Sequence, residues 1–176
     1  MKHTSYSIIA LAALALASCQ SKDDTTKAPQ PDASPALTAV IDADVTGDAQ
    51  AIHVIRQTAK VGDTITIKGR IMGNDNPFVE GRAAFILGDS EVITACSDRP
   101  GDGCETPWDN CCDAPEDIKR GTATIQIINA DGRVLKEGVE GIAGIEKLAK
   151  LRVTGTVAEG SSPERLVINA TAIDLQ

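Results

Sequence analysis

The chain has 176 residues, enough for one domain with a real core once terminal segments are set aside. Asp and Glu outnumber Lys and Arg by 25 to 17, a net charge of −8, which disfavours phosphate backbones and anionic lipid surfaces as partners. Aromatic residues make up 2 % of the chain, too few for a base-stacking surface.

The first eighteen residues have the layout of an export signal. Lys2 gives a positive start and Ile8 to Ala17 form an apolar run. A run of about ten residues is half of what a hydrocarbon core of roughly 30 Å requires, so it reads as a removable signal and not a membrane span. Leu16-Ala17-Ser18-Cys19 resembles the lipobox of bacterial lipoproteins. That resemblance implies cleavage before Cys19, lipid on its thiol and acylation of the new amino group, a lasting membrane anchor. Gln20, in place of Asp, favours the periplasmic face of the outer membrane by the same resemblance. Lys2 is the one cation removed with residues 1–18, and no acid goes with it, so the mature charge moves from −8 to −9. Residues 19–36 are polar, carry Pro29, Pro31 and Pro35 and lack apolar periodicity, which predicts a disordered tether. Residues 37–176 form the domain.

Within the domain, 49–60 is expected to be a helix, with Ile52, Ile55 and Ala59 on one face and Thr46 or Asp48 as its cap. Gly62-Asp63 ends it. Thr64 to Met72 is the clearest strand: Ile65, Ile67 and Ile71 alternate with Thr64, Thr66, Lys68 and Arg70. Gly69 falls on the apolar side, where a strand bends around a small barrel. A second strand is expected over 81–87, with Ala83, Phe85 and Leu87 on one face. Residues 90–119 hold four cysteines and little apolar periodicity, and read as a long ordered excursion. A third strand follows at 122–128, closed by the turn residues Asn129 to Gly132. A short helix is expected over 142–150, then strands over 151–158 and 165–174. Three strands, a helix and two strands is the order of the OB-fold, a five-stranded Greek-key barrel with its helix between the third and fourth strands.

The excursion contains Pro100-Gly-Asp-Gly-Cys104, Thr106-Pro-Trp-Asp109 and the pair Cys111-Cys112. With Gly69-Arg70-Ile71 and Phe78 to Ala83, these resemble a group of uncharacterised exported bacterial lipoproteins that carry an OB-like domain. The resemblance runs from about residue 49 to the end of the chain and implies a fold but no activity. Asn110 stands where an aromatic is expected, which weakens any aromatic patch.

With Cys19 lipidated, Cys96, Cys104, Cys111 and Cys112 remain, an even number for an oxidising compartment. A bond between the adjacent pair is disfavoured by geometry. Two pairings stay open: Cys96–Cys111 with Cys104–Cys112, or Cys96–Cys112 with Cys104–Cys111. Each is a staple of about 2–3 kcal/mol by the chain-entropy argument. The alternative for the same four residues is zinc or copper, although no paired C-x₂-C knuckle presents them. Calcium at Asp98, Asp102, Glu105, Asp109 and Asp113 lacks any EF-hand spacing.

No nucleophile elbow or P-loop occurs, and His53 is the one histidine beyond the signal, beside an apolar helix face. The expectation is therefore a non-catalytic, lipid-anchored binding module without a cofactor. Its partner would be an envelope protein or a glycan, and nucleic acid is disfavoured. Trp108 is the candidate contact residue, and Lys68, Arg70 and Arg82 form a candidate basic patch.

Overall fold

The computed structural model describes Met1 and residues 33–176. Residues 2–32, which include Cys19 and most of the expected export signal and tether, lie outside the described residues. None of the described helices is long and apolar enough to cross a membrane.

The elements in order are helix α1 (Pro35–Ile41), strand β1 (Gln50–Ala51), helix α2 (Ile52–Ile55), strands β2 (Thr64–Ile71) and β3 (Ala84–Gly88), helix α3 (Pro115–Gly121), and strands β4 (Thr122–Gln126), β5 (Lys150–Val157) and β6 (Leu166–Leu175). Strands β2, β3, β4, β6 and β5 neighbour one another in that order, and β5 pairs back onto β2. The result is a closed, OB-like five-stranded barrel. Its seams are the antiparallel β2–β5 ladder, from Thr64 opposite Thr156 to Arg70 opposite Lys150, and a parallel β4–β6 ladder from Ala123 opposite Leu166 to Gln126 opposite Asn169.

Period-two alternation drives this arrangement. Ile65, Ile67 and Ile71 turn inward from β2, meeting Phe85 and Leu87 of β3, Ile125 of β4, Leu151 and Val153 of β5 and Ile168 of β6 in one buried cluster. Closure needs a sharp corner where β2 leaves β5 and joins β3, a contact limited to Arg70–Gly88 and Ile71–Leu87. Gly69 sits at that corner: a Cβ there would lie 2.7 Å from the Gly88 carbonyl oxygen and 2.7 Å from Leu87 Cγ. The backbones meet because glycine leaves the space empty.

Four expectations need correction. The helix over 49–60 is reduced to the single turn α2, because Gln50–Ala51 is drawn into a parallel bridge with Ile67 and Lys68. Its N-cap is Ala51, with no side-chain bond from Thr46 or Asp48. No helix forms over 142–150. Gly141 and Gly144 adopt positive φ, as do Ala143 and Leu148, so the chain makes one 3₁₀ turn at Ile142–Gly144 and then a loop. The second strand begins at Ala84, three residues later than expected, after a turn at Gly81. Finally, ordered structure reaches into the stretch expected as tether, since α1 begins at Pro35. Ser34 caps it by accepting from the Leu37 N–H, while its own backbone N–H donates to Glu137. Leu37 is fully buried in the barrel core.

Candidate functional site

The excursion lies between β3 and β4, the second and third strands of the barrel. It folds by closing on itself: the Cys96 N–H donates to the Asp109 carbonyl at 2.7 Å and the Ser97 N–H to the Pro107 carbonyl at 2.9 Å. Those two bonds lay residues 96–97 beside 107–109, and a turn through Gly101, at positive φ, returns the chain between them. Asp102 helps by accepting from the Cys104 N–H. A small second core of Met72, Ile93 and Ala95 fastens the base of the loop to the barrel.

This folding brings three sulfurs together. One ligand atom each from Cys96, Cys104 and Cys111 lies within 4.8 Å of the others. The Cys96 and Cys111 sulfurs are 3.8 Å apart, and Cys111 and Cys112 are 3.9 Å apart. All four are free thiols, far from the roughly 2.05 Å of a sulfur–sulfur bond, so neither expected disulfide pairing is formed. Cys96 is the buried floor of the cluster, Cys104 is half-buried, and Cys111 and Cys112 are exposed. Burial, together with the neighbouring sulfurs, pushes the Cys96 thiol up to about 12. Cys104 moves the other way, drawn down by the hydroxyl and backbone N–H of Thr106, whose Oγ1 is 3.5 Å from its sulfur.

The other residues singled out in the sequence are mostly bound within the chain. Arg70 donates to Asp98 and, through Nε, to the Leu148 carbonyl at 3.1 Å, so it ties the cysteine loop to β2. Lys68 pairs with Glu91 at 2.9 Å on the surface. Arg82 lines a different region, so the three cations do not make one patch. Trp108 is half-buried: its indole N–H donates to the Asp75 carbonyl at 2.9 Å and the Lys147 ammonium sits 4.8 Å from its ring centroid. It pins the loop between two neighbouring turns. Asn110 is buried beneath the loop, only 2 % exposed. The acids suggested for calcium are dispersed: Asp98 pairs with Arg70, Asp113 with Arg99, and Asp109 accepts from the Asn110 N–H. Among the described residues they form no shared ligand group. His53, half-buried on α2, bonds through Nδ1 to Asp89 at 2.8 Å, joining α2 to the turn after β3.

A second site escaped sequence reasoning. A cleft of about 900 Å³ opens over β3 and β4, with Ala84, Thr124 and Gln126 on its floor and Arg82, Arg133 and Lys136 around it. No carboxylate lines it. Arg133 also pairs with Asp131 at 2.9 Å. The three cations come from the loop that precedes β3 and the loop that follows β4, so only tertiary folding assembles them. The turn residues 129–132 were the one local signal available.

These features define an OB-like barrel with a cysteine-rich insertion and a cationic cleft on its second and third strands. The sequence matches no family model, no curated protein and no solved structure.

Proposed function

We propose that the mature chain is a non-catalytic binding module of the bacterial cell envelope. Lipid on Cys19 holds it to the membrane, at the periplasmic face of the outer membrane, and it takes an acidic glycan in the cleft over β3 and β4. The lipobox-like Leu16 to Cys19 supports the anchoring, as does the resemblance of the cysteine loop to exported lipoproteins. The cleft carries the binding part of the reading. It lies on the strands with which OB barrels engage oligosaccharides. In a chain of net charge −8 it gathers three cations and no acid. Amide and hydroxyl groups of Gln126, Asn129 and Thr124 suit sugar hydroxyls, and Arg82 and Lys136 suit carboxylates. A nucleic-acid ligand is disfavoured because no aromatic lines the cleft for stacking.

The test is calorimetric titration of the mature chain with uronic-acid oligosaccharides and their neutral counterparts. Binding of the acidic series, weakened by salt and lost in the double variant R82E/K136E, is the expected result. Equal binding of neutral and acidic sugars, or full binding by the double variant, refutes the assignment of the cleft.

A further inference from the structure

We propose that Cys96, Cys104 and Cys111 form a binding site for a thiophilic d¹⁰ cation, zinc or copper(I), independent of the β3–β4 cleft. Disulfides use sulfurs in twos, whereas the cluster contains three that are all within 4.8 Å of one another. Both disulfide pairings that avoid the vicinal bond require Cys112 to leave Cys111 and reach Cys96 or Cys104. Instead Cys112 is exposed beside Cys111, outside the mutual triangle.

Distance points the same way. Ligands at about 2.3 Å from zinc in tetrahedral array are separated from each other by about 3.8 Å. The Cys96–Cys111 separation is 3.8 Å. The third sulfur is near enough to complete the face with a small rotamer adjustment. Trigonal copper(I) accepts a similar triangle of soft thiolates.

The surroundings also fit. Cys96 forms a buried floor and Cys111 an exposed rim, which leaves a path for the ion to enter. The Thr106 hydroxyl stands 3.5 Å from the Cys104 sulfur, where it can donate to a thiolate and orient it. Two ion pairs, Arg70–Asp98 and Arg99–Asp113, brace the loop on both sides, so the triangle is held by contacts that do not depend on the metal. Binding exchanges the three thiol protons for the cation and releases them to solvent.

The experiment uses the full mature chain, reduced and desalted without oxygen, with cobalt(II) as the spectroscopic probe. One cobalt per chain with a thiolate-to-cobalt charge-transfer band is expected. Zinc and copper(I) both displace cobalt from thiolates, so the cation is identified by the one the chain retains when both are offered in buffered competition. The band should vanish in C104S and C111S, persist in C112S, and be accompanied by a metal-dependent rise in unfolding midpoint that C111S lacks. C96S alters a buried position, so the exposed and half-buried variants carry the test, with matching far-ultraviolet circular dichroism as their folding control. Absence of the band in folded, reduced wild type overturns the proposal, as does its survival in C104S and C111S. So does recovery of the mature chain from cells with all four thiols in disulfides that bind no metal after reduction. Glycan binding is measured separately, so failure here leaves the cleft assignment standing.

Discussion

Substituting Gly69 with alanine tests the corner on which barrel closure depends. The added methyl would sit 2.7 Å from the Gly88 carbonyl oxygen and from Leu87 Cγ. A carbon approaches a carbonyl oxygen comfortably at about 3.3 Å, so β2 and β3 must part by roughly 0.6 Å. Leu87 can change rotamer, but the main-chain oxygen cannot move without its ladder. Overpacking of this kind costs about 1–3 kcal/mol. Restricting the unfolded chain returns about 0.4–1 kcal/mol of that, leaving a net loss of about 0–2.6 kcal/mol, centred near about 1.3 kcal/mol. For a domain of this size that is a fall of roughly 3–10 °C in Tm. The assay is urea and thermal unfolding of Gly69→Ala beside Gly138→Ala, where a Cβ meets nothing within 4 Å. Gly138→Ala, with no clash to offset it, should keep that unfolded-chain gain and be about 0.4–1 kcal/mol more stable than wild type. A Gly69→Ala protein as stable as the Gly138 control would refute the reasoning that the corner needs an empty position.

Two further outcomes follow from internal contacts. Asp89 is 2 % exposed. Burial pushes its carboxyl up, but the backbone and imidazole of His53 and the Glu91 N–H together hold it below the ordinary range. Its contribution is therefore complete above the unfolded value near 3.9 and is lost as pH falls through the lower folded value. Asp89→Asn should cost about 1–3 kcal/mol at neutral pH and flatten the acid limb of the stability curve; parallel curves for variant and wild type would contradict this. Trp108→Phe keeps a ring under Lys147 but removes the bond to the Asp75 carbonyl. It should cost about 0.5–1.5 kcal/mol and speed alkylation of Cys104 and Cys111, and unchanged labelling rates would show that Trp108 does not pin the loop.

The barrel was legible because five strands carry alternation that no other element imitates, and Gly69 interrupts one of them on its apolar side. Helices were harder because they are short here and set by their neighbours. Residues 142–150 have apolar spacing that suits a helix, yet Gly141 and Gly144 turn the chain and Ile145 is buried from a loop. Conversely, α1 and α3 passed unnoticed although each begins with proline in its first turn. α1 also has Ser34 as its cap, and α3 has acids at its start and Lys119 and Arg120 at its end. Those local signals were present and outweighed by composition, which read as tether in one case and irregular loop in the other. The cysteine loop was recognisable as unusual, but its triangle depends on backbone bonds between 96–97 and 107–109 that no spacing reveals. The cleft was invisible for a similar reason: Arg82 and Lys136 are 54 positions apart in the chain.

The two seams also govern how such a chain can fold. Thr64 must find Thr156, and Ala123 must find Leu166, before the cylinder is complete. Local hairpins therefore cannot assemble it stepwise, and the high contact order predicts slow, all-or-none folding. The final strand takes part in both the parallel seam and the β5 ladder. Loss of the last eleven residues would consequently strip β4 and β5 of one ladder partner each, leaving them paired only with β3 and β2, and a chain truncated before Leu166 should accumulate as an unfolded, protease-sensitive species.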